Sequence, residues 1–269
     1  MSSGSGRTPR SLWKFTTALL VATGLAGCAK GELTTGSISR GRPVDSMSAG
    51  ELQSAAHSLG EAYASNPTDK ATALRYATVL QMNGDADQAL AVMRKLAMVH
   101  TKDRQVLAAY GKALAAAGQF EPALDAVRRA QTPEYPDWKL VSAEGAILDQ
   151  MGNAKAAREL YRRALEMKPN EPSVMSNLGM SYLLEGDLKT AETYMRSATE
   201  QRGADSRVRQ NLALVVGLQG RFEEAEQIAS RELSPEQAQA NVAYLRQMLS
   251  QQNAWKQLKD GDKKKTSTN

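Results

Sequence analysis

Gly145-Ala146-Ile147-Leu148-Asp149-Gln150-Met151-Gly152-Asn153-Ala154-Lys155-Ala156-Ala157 decides the fold. Its marks are a small residue at Gly145, a core residue at Leu148, a glycine at Gly152 and an alanine at Ala157. The same four columns return every 34 residues without a gap. Gly84, Gly118, Gly186 and Gly220 repeat Gly152, and Ala89, Ala123, Ala191 and Ala225 repeat Ala157. Ala77, Gly111, Gly179 and Ala213 hold the small column; Leu80, Leu114, Tyr182 and Val216 hold the core column. A period of this length marks one supersecondary unit that buries its apolar face against its neighbours.

The period and columns resemble the tetratricopeptide repeat, a helix–turn–helix, and imply an all-α, right-handed α-solenoid. Each column has a mechanical reason. The small residue in the first helix (A) lets the second (B) approach, and the glycine ends helix A where a left-handed conformation is needed. The alanine sits where A and B cross. Full repeats are predicted to start near 70, 104, 138, 172 and 206. Pro172 suits the first position of a helix, where a missing N–H goes unneeded. Lone capping helices are predicted at both ends. Residues 51–67 read as a half repeat with Ala55 in the crossing column. Residues 235–252 read as a helix opened by Ser234-Pro235-Glu236-Gln237, with Val242, Leu245, Met248 and Leu249 on its apolar side. Such ends keep a solenoid soluble.

The N-terminus reads differently. Arg7, Arg10 and Lys14 precede an apolar stretch, Phe15–Gly27, which at ~20 Å is too short to span a bilayer and fits a secretory signal over residues 1–27. Leu25-Ala26-Gly27-Cys28 resembles the lipobox of bacterial lipoproteins. That resemblance implies cleavage before Cys28 and lipidation of its thiol. Ala29 in place of Asp after the cysteine implies transfer to the outer membrane of a Gram-negative bacterium, on its periplasmic face. Residues 28–50, rich in Gly and Ser, read as a flexible tether reaching ~25 Å. Residues 253–269 read as a basic, disordered tail.

Composition excludes several functions. Cys28 is the only cysteine, so neither an internal disulfide nor a multi-cysteine zinc site can form. The net charge of +5 suggests nucleic acid at first sight. Yet Glu51–Gln252 carries 23 bases against 25 acids, so the excess belongs to the signal, tether and tail. No nucleic-acid partner is expected. His57 and His100 stand at no motif spacing to a nucleophile. Gly179-Met180-Ser181-Tyr182-Leu183 lacks the second glycine of a nucleophile elbow. Neither a phosphate-binding G-x-x-x-x-G-K-[ST] nor an H-E-x-x-H is present. The chain is read as a non-enzyme with no catalytic residues, no metal and no cofactor.

Function then falls to surface recognition. With Gly152 as the fifteenth position of its repeat, positions 2, 5, 6, 9, 12 and 13 of helix A should line the concave face. The candidate partner groove is Ser173, Ser176, Asn177, Met180 and Leu183, with Arg207, Gln210, Asn211 and Leu214 in the next repeat. In peptide-binding relatives an asparagine at position 6 bonds the ligand backbone, its amide serving as donor and acceptor. The alternative is that Asn177 and Asn211 cap the stacking between repeats.

Glu144-Gly145-Ala146-Ile147-Leu148-Asp149, Ser176-Asn177-Leu178-Gly179, Arg207–Val215 and Asn241-Val242-Ala243-Tyr244-Leu245, with the lipobox, resemble the TadD family of tight-adherence (Tad/Flp) pilus lipoproteins. The resemblance implies a pilotin-like scaffold, held in the membrane by an acyl anchor. Its partners would be the pilus secretin and other Tad components. The alternative is an adaptor or periplasmic chaperone of another envelope machine, serving outer-membrane protein assembly or pilin handling.

Overall fold

The computed structural model describes residues 44, 47–132, 134 and 136–266, the part beyond 251 by its backbone alone. All belong to one of the chain's two compact units, Gly41–Asn269. The expected signal segment, Cys28 and most of the expected tether lie outside the described residues.

Twelve helices follow in order among the described residues: α1 (Ala49–Ser65), α2 (Lys70–Met82), α3 (Ala86–Val99), α4 (Arg104–Ala116), α5 (Phe120–Ala130), α6 (Trp138–Gln150), α7 (Ala154–Met167), α8 (Pro172–Leu184), α9 (Leu188–Glu200), α10 (Ser206–Leu218), α11 (Phe222–Ala229) and α12 (Pro235–Thr266). The A helices α2, α4, α6, α8 and α10 start at Lys70, Arg104, Trp138, Pro172 and Ser206. Each packs on its own B helix, and each of the first four B helices packs on the next A helix, so the array is an all-α repeat solenoid.

Polar chemistry sets where the helices begin and end. Asp69, Asp103, Asp137 and Asp205 accept backbone N–H groups in the first turns of α2, α4, α6 and α10. α8 has no side-chain cap and begins instead with Pro172. At the other end, Gly152 adopts φ 80°. The next residue, Asn153, then donates its N–H to Leu148 O at 2.8 Å, and Gly152 N–H donates to Asp149 O at 3.0 Å. This pair of bonds closes the helix in a Schellman motif. Asp85, Gln119, Asp187 and Arg221 make the equivalent bond back to Leu80, Leu114, Tyr182 and Val216. The core column therefore also supplies the carbonyl that each turn needs.

The crossing alanines Ala89, Ala123, Ala157, Ala191 and Ala225 are all fully buried. Facing them, the small column allows contact that a methyl group would block. A Cβ at Gly145 would lie 2.8 Å from Tyr161 Cε1 and 3.1 Å from Ala157 O. At Gly111 the obstruction is Val127 Cγ2 at 2.6 Å, and at Gly179 it is Met195 Cγ at 2.9 Å. Where Ala77 and Ala213 already carry a Cβ, the facing residues are the pliable Met93 and the small Ala229.

The ends differ in one respect from the sequence reading. Ser48 and Glu51 form a reciprocal capping box, and α1 sets Leu52 and Ala55 against the first repeat. Ser234 and Gln237 form a similar pair at the start of α12. That helix buries Ala238, Val242 and Leu245, and stacks Arg246 4.7 Å from the Phe222 ring centroid. It continues to Thr266, where an end at 252 and a disordered tail were predicted. Between Glu236 and Asp260 the chain holds neither glycine nor proline, so nothing stops the helix, and Gly261 alone costs only ~1 kcal/mol.

Candidate partner-binding face

The spacing of the two helix rows identifies the inner side. Successive A helices approach one another directly, α2 to α4, α4 to α6, α6 to α8 and α8 to α10, whereas successive B helices make no comparable approach. A stack whose A row is the tighter one curves with that row inside. The A-helix residues turned away from the B helices therefore form the inner face.

Of the predicted groove, Arg207 and Gln210 are exposed; Ser173, Asn177, Met180, Leu183, Asn211 and Leu214 are half-buried. Met180 and Leu183 lean on the core between the fourth and fifth repeats. Ser173 Oγ donates to Glu171 Oε1 at 2.8 Å, and Gln210 Nε2 donates to Ser206 Oγ at 2.9 Å. Ser176 does not belong to the open face: it is 2% exposed, sealed in the seam between α8 and α10. Its role is to receive Asn211, whose Nδ2 donates to Ser176 Oγ at 3.0 Å. One repeat earlier, Asn177 Nδ2 donates to Ser142 Oγ at 3.2 Å, and Ser142 is likewise buried. The asparagines thus tie α8 to α6 and α10 to α8. Each keeps its amide oxygen and second N–H without a partner among the described residues. Of the two alternatives, the contacts show the stacking role.

A second polar seam was not anticipated. Asp149 accepts from the buried Tyr161 hydroxyl at 2.9 Å and from the buried Ser181 hydroxyl at 2.8 Å, joining α6, α7 and α8. Burial pushes the Asp149 carboxyl above its ordinary value, although both hydrogen bonds pull it down. The Tyr161 phenol is raised strongly, first by burial and then by the Asp149 charge. Ser181 therefore spends its hydroxyl on the half-buried Asp149 carboxylate. Glu144 likewise accepts from Arg128 Nε at 2.8 Å and Gln131 Nε2 at 3.3 Å. The distinctive run Glu144–Asp149 holds three repeats in register; period counting could not show this, because its partners lie in other columns.

On the B-helix side, Glu192 receives Arg221, Arg196 and Gln219, and Arg221 and Arg196 share Glu224. The Arg221 guanidinium, ahead of its other partners, holds the Glu192 carboxyl down at about 2. His57 is exposed, 3.6 Å from Glu61, and His100 Nε2 lies 3.4 Å from Thr68 O. Among the described residues, no group of three or more His, Cys, Asp or Glu is placed to hold a metal ion. No described helix is long and apolar enough to cross a membrane.

An uninterrupted repeat, with buried polar seams joining α6 to α8 and α8 to α10 and an open inner face, defines a helical-repeat scaffold for protein partners. The tetratricopeptide repeat model matches residues 46–113 and 148–215, just over half the chain, and the chain belongs to that family. Among solved structures it is similar to PilW, a widely conserved type IV pilus biogenesis factor, with 20% identity over 74% of this chain and 91% of that one, at a TM-score of 0.55. A tetratricopeptide repeat protein from Parabacteroides merdae matches with 19% identity over 76% of this chain and 81% of that one, TM-score 0.55. A chain of the APC/C hetero-tetramer Cut9–Hcn1 matches with 14% identity over 75% of this chain but only 40% of that one, TM-score 0.56. At these identities the likeness is one of fold. No curated protein matches the sequence.

Proposed function

We propose that the chain is a lipid-anchored, outer-membrane scaffold of Tad/Flp type IV pilus assembly, a TadD-like protein. It acts as a pilotin-like factor that binds and supports the secretin through its repeat face. The observation that carries this reading is the pairing of a lipobox, Leu25-Ala26-Gly27-Cys28, with an array whose inner face offers oriented amides beside Met180, Leu183 and Leu214. PilW, a pilus biogenesis factor of the same fold, supports it. Tethering confines scaffold and ring to one surface, which raises their effective concentration and lets a weak groove contact suffice. Replacing Cys28 by serine in the host should release the protein from the membrane fraction and lower the amount of secretin multimer. Normal multimers alongside a fully soluble variant would refute the tethering mechanism.

A further inference from the structure

α12 packs on the array along less than half its length. Ala238, Val242 and Leu245 are the buried residues that seat it against α10 and α11. Beyond them Met248 and Leu249 are half-buried, and Gln247, Ser250 and Gln251 are exposed. The backbone then stays helical to Thr266, a further ~22 Å after Gln251. A lone helix of that length is marginal in water, so it gains from a surface that covers one face. The sequence of this stretch is two-sided. Met248, Trp255 and Leu258 come 4, 11 and 14 residues after Tyr244, spacings that return within about 40° of the same side of a helix. Tyr244 is exposed where the helix still lies on the last repeat, so the stripe starts on a side that the array leaves open. By the same spacing Lys256, Lys259 and Lys263 fall on one flank of the stripe and Lys265 on the other. Lys264 and Asp260 fall opposite, and Asp262 falls within it. Five lysines against two aspartates leave residues 252–266 at a net +3. An apolar stripe flanked by lysines and carrying a tryptophan is the pattern of a helix that lies in the plane of a membrane surface.

We propose that the far half of α12 lies on an anionic lipid surface, an inference that rests on the lipid-anchored reading above. Tyr244, Met248, Trp255 and Leu258 enter the headgroup boundary, and the flanking lysines meet lipid phosphates. The tether leads into α1 and α12 follows the last repeat, so the array is held to the membrane at its first and last helices. An acyl anchor and a basic patch together give a stable attachment that neither gives alone, which is why loss of the anchor still releases the protein. A second copy is not the occupant, because pairing two such segments would bring like charges together.

An environment-sensitive dye at Gln251→Cys, in the full chain carrying Cys28→Ser, tests this. Residue 251 falls on the stripe by the same spacing, and Cys28 is the only native cysteine. In about 0.05 M salt, vesicles of phosphatidylcholine with about 30% phosphatidylglycerol should shift the emission to the blue, and about 0.5 M salt should reverse the shift. The variant K256E/K259E/K263E alters none of the residues that seat α12 on the array. It should need about tenfold or more lipid for the same shift. No shift on these vesicles, an equal shift on pure phosphatidylcholine, or an unchanged titration in the variant would overturn the proposal. So would an equal shift with polyglutamate in place of vesicles, which would make the partner an acidic protein. If Cys28→Ser releases the protein in the host while this shift is absent, the anchored reading stands and only the second membrane contact is wrong.

Discussion

The Asn211–Ser176 pair offers a direct measure of how far a groove residue also serves the fold. Asn211 donates to Ser176 across 3.0 Å, and Ser176 is 2% exposed, so water cannot replace the lost bond. A net hydrogen bond contributes about 1 kcal/mol, and orphaning a buried partner raises the cost to ~1–3 kcal/mol. A helical serine can turn its hydroxyl to a carbonyl one turn back, which limits the loss. Asn211→Ala should therefore destabilise by ~1–2 kcal/mol. Asn177→Ala should cost less, since its bond is longer at 3.2 Å and Ser142 is slightly more exposed at 5%. Combined with Ser176→Ala, Asn211→Ala should show a coupling of ~0.5–1.5 kcal/mol. Repeat arrays need not unfold in one step, so the cycle is best read by native-state hydrogen exchange in α8 and α10 alongside denaturant melts. A coupling below ~0.3 kcal/mol would refute the claim that the ladder holds the repeats together. Loss of partner binding with no such coupling would leave the asparagines as ligand contacts alone.

Two further outcomes follow from the core and the outer charge network. Gly145→Ala gains up to ~1 kcal/mol of helix propensity but drives a methyl group into Tyr161, a ring 2% exposed with its hydroxyl held by Asp149. Overpacking should dominate and destabilise by ~1–3 kcal/mol in a denaturant melt, and Tyr161→Met should recover part of the loss; a stabilising Gly145→Ala would refute the close-approach argument. Glu192 titrates near 2 in the folded chain, below its ordinary 4.5, so the stability it confers is complete above pH 4.5 and lost as pH falls towards 2. The shift sets a ceiling of ~3 kcal/mol, which screening at the partly exposed Arg196 and Arg221 reduces to ~1–2 kcal/mol. Melts of wild type and Glu192→Gln should therefore converge between pH 5 and pH 2, and parallel curves would show that the network contributes nothing.

The repeat was legible because each column answers to a local need. A glycine with positive φ, a carbonyl to close the turn and an alanine at the crossing are demands that every repeat makes at the same place, so counting finds them. Asp149, Ser181 and Tyr161 escaped because they meet only once, at positions 12, 10 and 24 of three different helices. Nothing in the spacing joins them. Ser176 was misplaced for a related reason: position 5 points inward in a lone helix, but the next A helix comes close enough to cover it.

The sequence alone determined the architecture and the number of full repeats, because these rest on local conformational preference and spacing. It also showed that the body is nearly neutral. Only the tertiary structure decided which of its charges are spent. Capping aspartates, paired arginines and a half-buried carboxylate are consumed by the fold, and the distances that consume them are set by how helices stack. Composition counts every charge alike, whereas helix packing distinguishes those already engaged within the fold.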